Sequence, residues 1–225
     1  MAQARIDVIS IGTLSYNLLW NETAPVRTPH ATCTLVREAK RNILIDPGLP
    51  AVVIGQRLFE RTGLRPEQID TIFLTNARPA HRLGIAAFTK ADVFTHELER
   101  EQAVLRLTDL IENSDDDDAR VLEAELAAVR KFKPADDKIG KQIDLFPLFG
   151  YTPGTCGLLV SAATQTILIA GDAVATQEHL LAGQVLPNSH NLDAAKESLR
   201  EVYELADVVI PGHDNAFVNP RAYGI

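Results

Sequence analysis

Five times along the chain, an apolar run of strand type meets a tight turn that carries polar side chains. The blocks are Asn42-Ile-Leu-Ile-Asp46-Pro-Gly48, Thr71-Ile-Phe-Leu-Thr-Asn76-Ala-Arg78-Pro-Ala80-His81, Thr152-Pro-Gly-Thr155-Cys156-Gly157, Ile167-Leu-Ile-Ala-Gly171-Asp172 and Val208-Val-Ile-Pro-Gly-His213. Short apolar runs of this kind suit buried strands, and the strands of the first third read as a meander giving one sheet with a face to cover. Polar groups held at strand ends, on loops braced by a rigid scaffold, suit binding or chemistry. The second block is the densest, with an amide, a guanidinium and an imidazole within six residues.

Taken in order, the blocks resemble the metallo-β-lactamase fold superfamily, over about Val8 to His213. The resemblance implies an α/β fold: a four-layer αββα sandwich of two mixed sheets flanked by helices, with the site at one edge between the sheets. Active members carry His-x-His-x-Asp-His after the second block's strand. Here the matching positions hold Asn76, Arg78, Ala80 and His81. The next family histidine falls on Thr155, the bridging aspartate on Asp172 and the last histidine on His213. The resemblance therefore implies a first metal position reduced to Asn76, Arg78 and Thr155. The second keeps His81, Asp172 and His213 but has Ala80 where its own aspartate belongs. Asp46 matches an aspartate that supports the ligands from behind, although an Asp-Pro-Gly turn needs no such role.

Two function classes follow. One is a non-hydrolytic binding or regulatory pseudoenzyme, with no metal. The other is a hydrolase of an ester, thioester or lactone with one divalent metal, Zn or Fe, on His81, Asp172 and His213. A guanidinium stays protonated in a protein and cannot be a ligand. Arg78 is therefore expected to pair with Asp172 in place of a metal cluster, or to contact a ligand's carboxylate or oxyanion. His190 is a further candidate contact. His30, His96 and His179 have no motif context, and Cys156 has no evident base.

Elsewhere the patterns predict strands at Ile6–Gly12, Tyr16–Trp20, Ala31–Val36, Ile43–Ile45, Ala91–Thr95, Gln142–Phe149, Cys156–Val160, Thr166–Ala170 and Val208–Ile210. Pro147 argues for an edge. A helix is expected over Ala51–Arg61, buried through Val52, Val53, Leu58 and Phe59 and stopped at Gly63. Residues at about 97–133 read as a helical insertion in a single domain spanning 1–225, broken around Asn113–Asp118. Asp115 to Asp118 lack calcium-loop spacing and suit a helix start. Leu192–Leu205 reads as a helix capped near Asn191, with Leu199, Val202 and Leu205 inward.

The 225 residues carry a net charge of −8, against a broad nucleic-acid face, and no basic run suits a membrane surface. Cys33 and Cys156 show no Cys-x-x-Cys spacing, and reduced thiols in a cytoplasmic protein are the simplest reading. The expected partner is a small molecule, with a second copy possible through the helical insertion.

Overall fold

The computed structural model describes residues 3–223, so the expected domain of 1–225 extends beyond the described residues at both ends. The first sheet is built from β1 (Arg5–Ser10), β2 (Cys33–Glu38), β3 (Arg41–Ile45), β4 (Thr71–Phe73), β5 (Asp92–Thr95) and β6 (Lys133–Pro134), in that spatial order. Its β1–β2–β3 part is an antiparallel meander, and β3 to β6 run parallel. The parallel steps are crossed by α1 (Ala51–Thr62), α2 (Pro79–Arg82), α3 (Glu97–Glu112) and α4 (Asp116–Val129). The second sheet uses β7 (Ile143–Pro147), β8 (Cys156–Ser161), β9 (Thr166–Gly171), β10 (Val208–Pro211) and β11 (Phe217–Val218), ordered β11-β10-β9-β8-β7. The helices α5 (Gln177–Ala182) and α6 (Leu192–Leu205) lie between β9 and β10 in sequence.

Three buried clusters separate four layers. Leu44 and Ile72 face α1, α3 and α4 through Ile54, Leu58, Leu107, Leu126 and Val129. Their strand neighbours Ile43, Ile45 and Phe73 face the other way, onto Leu158, Ile169 and Ile210 of the second sheet. On that sheet's far side, Leu168, Ala170 and Val209 meet Leu180, Leu199 and Val202. Successive strand side chains point to opposite faces, so both faces of each central strand must be apolar. The uninterrupted runs of the sequence thus become the expected αββα sandwich.

Several local expectations change. Tyr16–Trp20 is not a strand. Asn17 accepts from the Leu19 N–H, and Leu18–Trp20 closes as a 3-10 turn with Asn21 in the left-handed region. In α1 the buried pair is Ile54 and Leu58, while Val52 and Phe59 are exposed. Residues four apart share a helix face, and 52 and 59 lie on the opposite one. Gly63 ends α1 at φ +73°. Asp115 caps α4 by accepting from the Asp118 N–H. Asn191 caps α6, whose inward residues include Leu199 and Val202 but not the exposed Leu205. Strand β7 is an edge, as Pro147 requires. Cys33 and Cys156 are buried free thiols. Among the described residues, no helix is long and apolar enough to cross a membrane.

Candidate functional site

Strand ends of both sheets converge here. At the end of β3, Asp46 takes φ +49°, a conformation aspartate tolerates better than most residues. Its carboxylate accepts from the Thr75 N–H (2.9 Å) and Thr75 Oγ1 (2.6 Å) at the end of β4. After β4 the chain turns into α2, where Pro79 takes the first position and His81 is buried. Asp172 follows β9 and His213 follows β10. Two glycines permit this approach. A Cβ on Gly212 would lie 2.7 Å from Asp172 Oδ1, and one on Gly171, at φ +53°, would lie 2.4 Å from Thr75 Oγ1.

His81 lies between two carboxylates. Its Nδ1 is 3.0 Å from Asp46 Oδ2, and its Nε2 is 2.8 Å from Asp172 Oδ2. Burial pulls its pKa down, but the charges of Asp172 and Asp46 and hydrogen bonds to both outweigh this and raise it from 6.5 to about 10. Burial likewise pushes Asp172 up, and the charges of His81 and His213 outweigh it, holding the carboxyl well below its usual range. Without a bound ion, the proton on His81 is the positive charge between the two carboxylates at neutral pH.

Asn76 takes a share of the same carboxylate. Its Oδ1 accepts from the Arg78 N–H at 3.0 Å, which turns Nδ2 toward Asp172 Oδ2, also at 3.0 Å. Oδ2 thus accepts from both the imidazolium and the amide. Asp172 Oδ1 has His213 Nε2 at 2.9 Å but receives no aligned hydrogen bond. His213 Nδ1 lies 3.0 Å from the carbonyl oxygen of His30, an acceptor only, so Nδ1 carries hydrogen. Nε2 is therefore the ring nitrogen that faces Asp172 Oδ1.

The expected Arg78–Asp172 ion pair is not formed. Asp172 takes His81, His213 and Asn76 as partners, which leaves no place for a guanidinium. Arg78 lies over the Tyr151 ring at 5.8 Å, and its buried Nε has no partner among the described residues. Thr155 is also turned away: its hydroxyl bonds Thr152, which in turn donates to Glu99. Ala80 lines the cavity beside His81. His190 lies instead in a neighbouring cavity.

The cavity over His81, Asp172 and His213 has a volume of about 180 Å³ and is also lined by Tyr16, Asn17, Arg78, Tyr151, His179 and Asn188. Asn17 is 1% exposed, and its Nδ2 has no partner among the described residues. Sequence reasoning missed Asn17, Tyr151, His179 and Glu99. Only Tyr151, beside the Thr152-Pro-Gly turn, had a signal that could have been followed. Burial pulls the His179 imidazole down in pKa. Glu99 is 3% exposed and accepts from the Ala77 N–H, Gly154 N–H and Thr152 hydroxyl, tying α3 to both site loops.

The donor chemistry decides what metal set the residues fit. A pair of metals does not fit, because Asn76 presents N–H to Asp172, Arg78 cannot ligate, Ala80 has no donor and Thr155 is engaged elsewhere. One ion does fit on donor type. His81, Asp172 and His213 bring their ligand atoms within 4.8 Å of one another.

The two sandwiched sheets, with a His-Asp-His cluster at the rim where their strand ends meet, define a metallohydrolase-like α/β protein. Residues 27–213 match the metallo-β-lactamase superfamily, and the chain belongs to it. Comparison with curated proteins gave no match. Among solved structures, a putative metallo-β-lactamase from Thermotoga maritima superposes with TM-score 0.71 at 16% identity, over 96% of this chain and 100% of that one. The dizinc quorum-quenching lactonase AidC, with the product N-hexnoyl-L-homoserine, gives 0.68 at 19% identity, over 94% and 84%. A mutant of AiiA from B. thuringiensis, with N-decanoyl-L-homoserine bound at the active site, gives 0.61 at 17% identity, over 90% and 87%. At these identities the likeness is one of fold.

Proposed function

We propose that this chain is a non-hydrolytic, small-molecule-binding member of its superfamily that works without a two-metal centre. The observation that carries this reading is the pair of buried donors without partners among the described residues, Asn17 Nδ2 and Arg78 Nε, in residues lining the cavity above His81, Asp172 and His213. Unpaired buried donors are costly, and a ligand presenting oxygen acceptors would satisfy them by drawing these side chains toward the cavity. Asp172 Oδ2, meanwhile, is already occupied by N–H groups of the chain itself. The reading treats the chain as one domain with the 97–133 stretch as an insertion.

A second reading has its own support in Asp172 Oδ1, which faces His213 Nε2 without an aligned hydrogen bond. One Zn or Fe ion on His81, Asp172 and His213 would polarise a carbonyl and lower the pKa of water. Arg78 would then orient a substrate carboxylate, and lactones, after the quorum-quenching lactonase among the structural neighbours, would be the first to try.

Protein purified from zinc-supplemented cells decides between them. The binding reading expects no stoichiometric metal, no zinc-dependent rise in melting temperature and no lactone, thioester or ester hydrolysis. One zinc per chain, with a stabilisation that His213→Ala abolishes and hydrolysis that depends on it, would establish the second reading instead.

A further inference from the structure

A larger cavity, of about 320 Å³, opens on the other side of Arg78 beneath the paired helices α3 and α4. Among the described residues, Arg78 alone lines both cavities. One wall is apolar, with Ala103, Leu107 and Leu110 from α3 and Leu122 from α4. The lining also carries charge: Arg78 and Arg82 at α2, Arg106 on α3 itself, and the carboxylates of Glu99 and Glu125.

The charges in this lining are unequally matched. Arg82 is satisfied, with its Nη2 2.7 Å from Glu125 and its Nε donating to the Ala77 carbonyl. Glu99 is committed to three donors of the loops it ties together. Arg78 and Arg106 form no ion pair with a carboxylate among the described residues. Burial pulls the Arg106 pKa down, and the nearby charges of Arg78 and Arg82 pull it down further, against the raising effect of Tyr151 and Glu125. Pockets that bind small molecules are commonly mostly apolar, with a few polar groups to fix orientation, and start near 300 Å³. The larger cavity reaches that size.

We infer that the cavity beneath α3 and α4 binds a small amphiphilic anion, its charged head between Arg78 and Arg106 and its apolar body against Leu107, Leu110 and Leu122. Guanidinium groups present planar sets of donors that match carboxylate geometry. The apolar wall explains why a bare inorganic anion would be a poor occupant. This site shares Arg78 with the proposed acceptor site above His81, but Arg106 lines only the larger cavity and Asn17 only the smaller, so substitutions at those two positions distinguish them.

Calorimetric titration of the whole chain with octanoate, 1-octanol and inorganic phosphate tests the inference. Octanoate should bind, and the other two should bind at least about tenfold more weakly, the scale of one lost charged hydrogen bond. Arg106→Met, at an exposed position, should weaken octanoate about tenfold, and Asn17→Ala should leave it unchanged. Octanoate binding that Arg106→Met leaves intact, phosphate binding as tight as octanoate, or no octanoate binding would each overturn it. Loss of binding in Asn17→Ala with Arg106→Met unaffected would move the ligand to the smaller cavity.

Discussion

His81 Nε2 meets Asp172 Oδ2 at 2.8 Å, fully buried, and joins the loop after β4 in the first sheet to the end of β9 in the second. The contact welds the two halves of the sandwich at the rim where the site lies. Removing the imidazole would leave Asp46 and Asp172 facing each other without a cation. His81→Ala should therefore destabilise the metal-free protein by about 3–5 kcal/mol, the cost of breaking a buried ion pair. For a chain of this size that lowers the melting temperature on the order of 10 °C. A loss below about 1 kcal/mol in urea unfolding would show that the imidazolium does not hold the rim together.

The same contact sets a pH dependence. The folded-state pKa of His81, about 10, lies above its unfolded value of 6.5. Its contribution is therefore complete below pH 6.5 and lost as pH rises through about 10. The lowered pKa of Asp172 acts in the opposite sense: its contribution is complete above the usual 3.8 and lost as pH falls through the lower folded value. Both shifts describe largely one interaction and are counted once. Urea midpoints of metal-free protein should be level from about pH 5 to 6.5 and fall between pH 7 and 10. His81→Gln should flatten that fall.

Gly212→Ala should harm the site more than the chain. Its new methyl group would lie 2.7 Å from Asp172 Oδ1 and 2.9 Å from the Gly171 carbonyl carbon. Overpacking of this kind costs about 1–3 kcal/mol. The chemical shifts of His213 and His81 should move while those of α1 stay fixed. An unmoved His213 would show that the two strand ends have room to spare.

Glu99→Gln should loosen α3. The substitution replaces a charged acceptor of three hydrogen bonds with a neutral amide. Each such charged bond is worth about 1.5–3 kcal/mol, and part of that is lost. Amide exchange should speed up in α3 and at Ala77 and Gly154, with β2 and β3 unchanged. Unchanged protection in α3 would mean that its packing through Leu107, rather than Glu99, anchors it.

Both thiols should be inert in the native protein. Burial pushes the Cys33 and Cys156 pKa values up, and both side chains are fully buried. An aromatic disulfide reagent should modify them at the rate of unfolding. Fast modification of folded protein would expose a path to the intersheet core at Cys156.

The layers were legible in the linear pattern. Runs such as Ile43-Leu44-Ile45 and Ile72-Phe73-Leu74 can be satisfied only where both faces of a strand are covered, and their polar tips already marked one rim. The same pattern limited which chemical groups that rim could offer. Which of those groups pair is settled only by folding. Arg78 and His81 are three residues apart in one loop, and nothing local distinguishes which of them meets Asp172, 91 residues beyond His81. The short helix from Pro79 to Arg82 buries the imidazole and leaves the guanidinium half-buried over Tyr151. Glu99 was invisible for the same reason, since it bonds Ala77 and Thr152, and Asn17 bonds its own neighbours and joins the cavity lining only in the packed sandwich.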